Sequence, residues 1–159
     1  PITKGACNAE SKVMLVLNNW ISVDEVDNIN KEDKIDRLVE IGYKDWGATA
    51  STNTKLNKNI IEGHLNKRRE DVYITNVFPF IKSGSMIGKI HSSALDRAMG
   101  FFEEQLSIVN PKVLFVLGKH TENAFCDYFY NNKSYVVSNK TKSGCSISNK
   151  TLSCTAFFM

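Results

Sequence analysis

The chain has four cysteines, Cys7, Cys126, Cys145 and Cys154, and no two of them stand at CxxC spacing or at zinc-finger distance from a histidine. Free thiols in a reducing compartment are the simplest reading, and no cofactor or metal is called for. No apolar run approaches the roughly 20 residues of a bilayer-spanning helix, and the N-terminus lacks a basic-then-apolar signal pattern. A soluble, cytoplasmic monomer is therefore expected. Phosphate-cradling loops of the GxGxxG or GxxxxGK[ST] type are missing too, which argues against the common nucleotide-binding folds. A large charge of one sign is also lacking. The formal net charge is +3, compatible with a nucleic-acid partner but no argument for one, because a binding face depends on clustering rather than on the sum.

What is present suits one globular domain. The 159 residues are 42% hydrophobic and 23% charged, so a substantial core is expected and disorder is not. No internal repeat and no linker interrupts the chain. Residues 1–12 are polar and read as frayed or draped over the surface. Val13 to Leu17 (VMLVL) is a continuous apolar run, the mark of a strand buried on both faces. Asn18, Asn19 and Trp20 follow at its carboxyl end. An amphipathic helix is expected from about Lys31, with Ile35, Leu38, Val39 and Ile41 on one face and Gly42 as its stop. After a loop carrying Tyr43 and Trp46, Ser51 to Asn53 offer caps for a second helix. That helix turns Leu56, Ile60, Ile61 and Leu65 inward and ends in the basic cluster Lys67, Arg68, Arg69.

The chain is organised around Val72 to Gly88. Val72 to Thr75 is β-branched or aromatic and reads as a strand. A loop is expected after it, with Asn76, Phe78 and Phe80 around Pro79, then the turn formers Ser83, Gly84 and Ser85. Ser92 to Val109 has the clearest helical period, through Ala94, Leu95, Ala98, Phe101, Phe102, Leu106 and Val109. Pro111 resets the chain before a second buried strand, Val113 to Leu117. Gly118 opens another helix carrying Ala124, Phe125, Tyr128 and Phe129. The segment 131–150 is rich in Asn, Ser and Lys, with a short strand at Tyr135 to Val137. Thr151 to Phe158 reads as a final strand. Buried strands alternating with amphipathic helices predict an α/β fold, a three-layer α/β/α sandwich around a mostly parallel sheet of about four strands.

Three blocks of this chain resemble the uracil-DNA glycosylase superfamily. The first is VMLVL running into Asn18-Asn19-Trp20, similar to the family's strand and the short motif that ends in a catalytic Asp or Asn. The second is Tyr73-Ile74-Thr75-Asn76 followed by VFPFIKSGSMIG, similar to a strand ending in Thr-Asn and a loop lining the base pocket. The third is PKVLFVLG, from Pro111 to Gly118. A fourth, Thr52-Asn53 with Leu56, resembles the start of the helix after the first motif. The likeness covers roughly residues 10–130. Leu17 stands where many relatives have Gly, and Asn19 where others have Asp; Asn does occur at that position in the mismatch-specific branch. The family usually closes with a His-Pro-Ser-like motif after its last strand. None follows here, and His64, His91 and His120 do not stand in matching places. The expectation is one glycosylase-like domain, 1–159, without the C-terminal catalytic loop, either because the chain is a truncated form or because the protein lacks that part.

The resemblance implies removal of a flipped-out base from DNA without a cofactor. Such chemistry needs a water held on the far face of the sugar and stabilisation of the charge on the departing base. Asn19 is the candidate for the water on the resemblance; residues alone favour Asn18 and Asn19 as caps of a turn at the strand end. Asn76 is the candidate base reader, because one amide offers a donor and an acceptor together, matching O4 and N3–H of uracil. Closing an Asx-turn is its plainer alternative. Trp20, Trp46 and Phe78 are the rings that could line or stack under the base, where stacking contributes about 1–3 kcal/mol. Lys82, Ser83, Ser85 and Lys89 could hold the flanking phosphates. A catalytically impaired module of the same fold, binding a base, nucleotide or nucleic acid without cleavage, is the second reading. A small doubly wound domain binding a nucleotide or a protein is the third.

Overall fold

The computed structural model describes residues 9–19, 55–79 and 92–159. Strand β1 spans Val13–Asn19, helix α1 Lys55–His64 and strand β2 Tyr73–Phe78. Helix α2 spans Ser92–Val109, β3 Val113–Val116 and α3 Lys119–Asn131. Three strands close the chain: β4 (Val136–Thr141), β5 (Gly144–Ser148) and β6 (Ser153–Phe158). The helix expected from Lys31 lies outside the described residues.

The six strands form one sheet in the order β2-β1-β3-β6-β5-β4. The first four run parallel, with Leu15 beside both Ile74 of β2 and Phe115 of β3, and Leu114 beside Ala156 of β6. Strand β5 turns back antiparallel to β6, and β4 pairs antiparallel with β5. The expected count of about four strands is thus corrected to six among the described residues. The difference is the β4–β5 hairpin, where only a short strand at Tyr135 to Val137 was expected. Five of the six positions of β4 are exposed, so no apolar alternation marks it. Pairing with β5 shapes it, and β5 is anchored by Cys145 and Ile147, both buried.

β1 forms because it is apolar on both faces: Met14, Leu15 and Val16 are fully buried. Met14 and Val16 join the larger core cluster, with Met99, Phe102 and Leu106 of α2 and Phe125 and Phe129 of α3. Leu15 joins the smaller cluster, with Leu56 and Ile61 of α1 and Val72 and Ile74. Phe102 meets Phe125 and Phe129 edge-on, each at 6.4 Å between centroids, the arrangement that ring quadrupoles favour. The same cluster includes Cys145, Ile147 and Cys154, so it runs from the parallel strands into the hairpin.

Helix α1 is wound wider than an α-helix, as a π-helix. At its end the Leu65 amide donates to the Ile60 carbonyl, five residues back, at 2.9 Å. This winding brings Leu56 and Ile61, five apart, onto one buried face. Ile60 and Leu65 pack against the same cluster only partly buried.

Two further expectations are corrected. β2 does not break after Thr75; it continues to Phe78, because the ladder with β1 holds Asn76 beside Leu17 and Phe78 beside Asn19, and Val77 and Phe78 are buried. Ser11, in the segment read as frayed, is 4% exposed. Its hydroxyl donates to the Asp71 carbonyl at 2.7 Å and accepts from the Val13 amide at 3.1 Å, which ties the start of β1 to the start of β2. No described helix is long and apolar enough to cross a membrane.

Candidate nucleobase site at the ends of β1 and β2

Parallel strands present their carboxyl ends along one edge of the sheet, and open α/β sheets bind ligands there. Along this edge lie the end of β2, the end of β1, the β3–α3 turn at Gly118, and the end of β6. Gly118 is at φ 88, a left-handed conformation that suits glycine, and its amide donates to the Met159 carbonyl at 2.8 Å. That turn sends the chain from β3 into α3 without a side-chain cap.

Asn76 is half-buried within β2. Its neighbours fix which face it uses. Tyr73 and Thr75 point to α2, where the Thr75 hydroxyl donates to Gln105 Oε1 at 2.6 Å and the Tyr73 hydroxyl donates to the same oxygen at 3.2 Å. Side chains alternate along a strand, so Asn76 shares the opposite face with Ile74 and with its register partner Leu17. Its amide makes no hydrogen bond among the described residues. Gln105 is the residue that sequence reasoning missed.

Asn19 is the last residue of β1 and sits beside Phe78. Strand spacing and rise put its Cα roughly 8 Å from that of Asn76, on an adjacent strand. The fold therefore sets the backbones of the two candidate positions on adjacent strands, Asn19 at the end of β1 and Asn76 two residues before the end of β2. Phe78 is 3% exposed and packs into the larger cluster. Its ring belongs to the packed wall under the strand ends and offers no open platform. Trp20, Trp46, Lys82, Ser83, Ser85 and Lys89 lie outside the described residues.

Two of the three basic residues at 67–69 are accounted for locally. Arg68 donates from Nε and Nη2 to Asp71 at 3.1 and 3.0 Å and pairs with Glu70 at 3.2 Å. Those bonds hold the Asp71 carboxyl below its ordinary value. Arg69 turns inward to donate to Asn57 Oδ1, and burial lowers its guanidinium to about 10. Among the described residues, no group of three His, Cys, Asp or Glu side chains could hold a metal ion. Cys126, Cys145 and Cys154 are free thiols, and burial raises all three, Cys154 to about 12. Thiols held neutral in this way make poor nucleophiles.

The family model described as the uracil DNA glycosylase superfamily matches residues 29–155. That span takes in Asn76, α2, β3, α3 and the hairpin, and begins after β1 has ended at Asn19. No curated protein matches the chain.

Proposed function

The chain belongs to the uracil-DNA glycosylase superfamily, and from that premise we propose that it hydrolyses the N-glycosidic bond of uracil or a related modified base in DNA, leaving an abasic site. The observation that carries this reading is the half-buried Asn76 in the carboxyl-terminal half of β2, inside the family match and one strand away from Asn19.

The extruded base rests at the strand ends, with the Asn76 amide donating to O4 and accepting from N3–H. Phe78 packs the wall beneath it, and Trp20 and Trp46 supply the stacking faces. Asn19 holds a water on the far side of the sugar. As the C1′–N1 bond breaks, its electron pair goes to the base and the sugar becomes cationic. The water oxygen bonds to C1′, and its released proton balances the charge of the departing base. An amide is too weak a base to drive an early attack, but it suits a transition state in which departure of the base leads. Lys82, Ser83, Ser85 and Lys89 grip the phosphates on either side. A catalytically impaired module of the same fold, binding a base, nucleotide or nucleic acid without cleavage, is the second reading.

The test is abasic-site formation on a uracil-containing single-stranded oligonucleotide, with the wild-type chain, Asn19→Ala and Asn76→Ala. Cleavage by the wild type that falls by about 100-fold or more in both variants supports the enzyme. Binding without cleavage, weakened by Asn76→Ala, selects the second reading. Neither binding nor cleavage removes uracil as the ligand.

A further inference from the structure

The charge of this chain is unevenly placed. Residues 128–159 contain Lys133, Lys140, Lys142 and Lys150 and no acidic residue, while the whole chain carries only +3. The last three strands and their turns therefore hold all of the basic excess. All four lysines are exposed, and none has an ion-pair partner among the described residues.

Topology sorts these four into two pairs. β5 is antiparallel to β6, and Gly144 stands beside Phe157. The β4–β5 turn, with Lys142 and Ser143, therefore lies at the carboxyl ends of the parallel strands, where the Phe158 amide donates to the Ser143 carbonyl at 2.9 Å. This is the edge that carries Asn19 and Asn76. Lys150 lies in the β5–β6 turn, and Lys133 precedes β4 where Val136 meets Ser148. Those two occupy the opposite edge.

β4 also carries an irregularity. Between Ser138 and Thr141 it holds one more residue than the facing part of β5, and Asn139 is at φ 52. Such a bulge bends a strand and re-aims its side chains. Lys140 follows directly, with its ammonium 4.1 Å from the centroid of Tyr130, a ring that is itself 37% exposed. Lysine beside an accessible aromatic ring is the composition of a single-strand-binding surface. Lysines also protect an edge strand from pairing with another chain. That accounts for Lys140 but not for Lys142 in the turn, nor for the missing acidic residues.

We propose that the β4–β5 turn is a second contact for the nucleic-acid backbone, in which Lys142 and Lys140 bind phosphates of the strand whose base is read at Asn76. The inference rests on the glycosylase reading for the position of that base. From β1 to β5 or β4 is three or four strand spacings, roughly 14–19 Å. That is the rise of about 4–6 base steps of a duplex strand, so the turn engages DNA several nucleotides from the extruded base.

The test is binding of a fluorescein-labelled single-stranded oligonucleotide of about 20 nucleotides without uracil, read by anisotropy over a salt series. Wild type is compared with Lys140→Gln/Lys142→Gln and with Lys133→Gln/Lys150→Gln, two pairs that remove the same charge from opposite edges. The first pair should lose about 20-fold in affinity at ~0.1 M salt and lower the salt slope by about 1.4, the effect of two phosphate contacts on a single strand. The second pair should stay within about twofold of wild type. Equal losses in the two pairs would mean that net charge alone acts and would overturn the proposal, as would no loss in the first. Excision from a uracil trinucleotide, too short to reach the turn, separates the two claims. If the wild type excises but its affinity ignores Lys140 and Lys142, the second contact falls and the glycosylase stands. A wild type that neither binds nor excises overturns both.

Discussion

The two ends of the sheet follow different rules. At one end, β2 and β1 are parallel, their residues enter both core clusters, and their ladder sets Asn76 beside Leu17 and Phe78 beside Asn19. At the other, β4 and β5 form an antiparallel hairpin whose outer strand is exposed, bulged and basic. A strand buried on both faces must be apolar, so its few polar residues, such as Asn76, stand out as candidates for chemistry. An exposed edge strand is free to be polar throughout, and its side chains inform about partners rather than about the core.

The core tests whether these ends are really separate units. Phe102 lies in a cluster that includes Met14 and Val16 of the parallel half as well as Cys145 and Ile147 of the hairpin. Phe102→Ala should cost about 3–5 kcal/mol and leave a single unfolding transition in urea. Two transitions would show that the hairpin folds apart from the rest. Gly144→Ala strikes the hairpin alone, because a Cβ there would run into the Ala156 carbonyl oxygen of β6. A loss of about 1–3 kcal/mol is expected, with excision from a trinucleotide retained by the folded fraction.

Gln105→Ala strikes the other end. It removes the acceptor shared by Thr75 and Tyr73 and should cost about 1 kcal/mol. It should also reduce excision, because β2 loses the bonds that set the face of Asn76. Unchanged excision in a folded Gln105→Ala chain would show that the ladder with β1 alone positions the amide.

The smallest effect belongs to pH. Tyr128 and Tyr135 donate to Glu103 at 2.6 and 2.7 Å. Burial, with the help of that carboxylate, raises both phenols, Tyr128 to about 12 from an ordinary value of 10. The folded state thus keeps protons that the unfolded state releases. The contribution is complete below about pH 10 and is lost as pH rises through about 12. Denaturation midpoints should fall over that window, and Tyr128→Phe should make the decline shallower.

The same contrast explains which parts of the fold are legible in the sequence. β1 and β3 were legible because Val13 to Leu17 and Val113 to Leu117 are uninterrupted apolar runs, and α2 because its buried residues recur at helical spacing. Asn76 was found, but placed in a loop; Thr-Asn reads locally as a turn, and only the tertiary ladder with β1 carries the strand on to Phe78. The hairpin was nearly invisible, since Asn, Ser and Lys favour turns when no neighbouring strand is known. Gln105 escaped because its role depends on which residues of β2 face α2, a fact of register rather than composition.

The base-reading role of Asn76 is the centre of this account, and the most direct test is the ratio of uracil to cytosine excision from otherwise identical single-stranded oligonucleotides. In the proposed reading the amide would donate to O4 of uracil and accept from N3–H, whereas a carboxylate would repel O4 and accept from the N4 amine of cytosine. The wild-type chain should excise uracil and leave cytosine, and Asn76→Asp should lose uracil and gain cytosine. A variant that keeps the wild-type preference would contradict the claim that Asn76 reads the base.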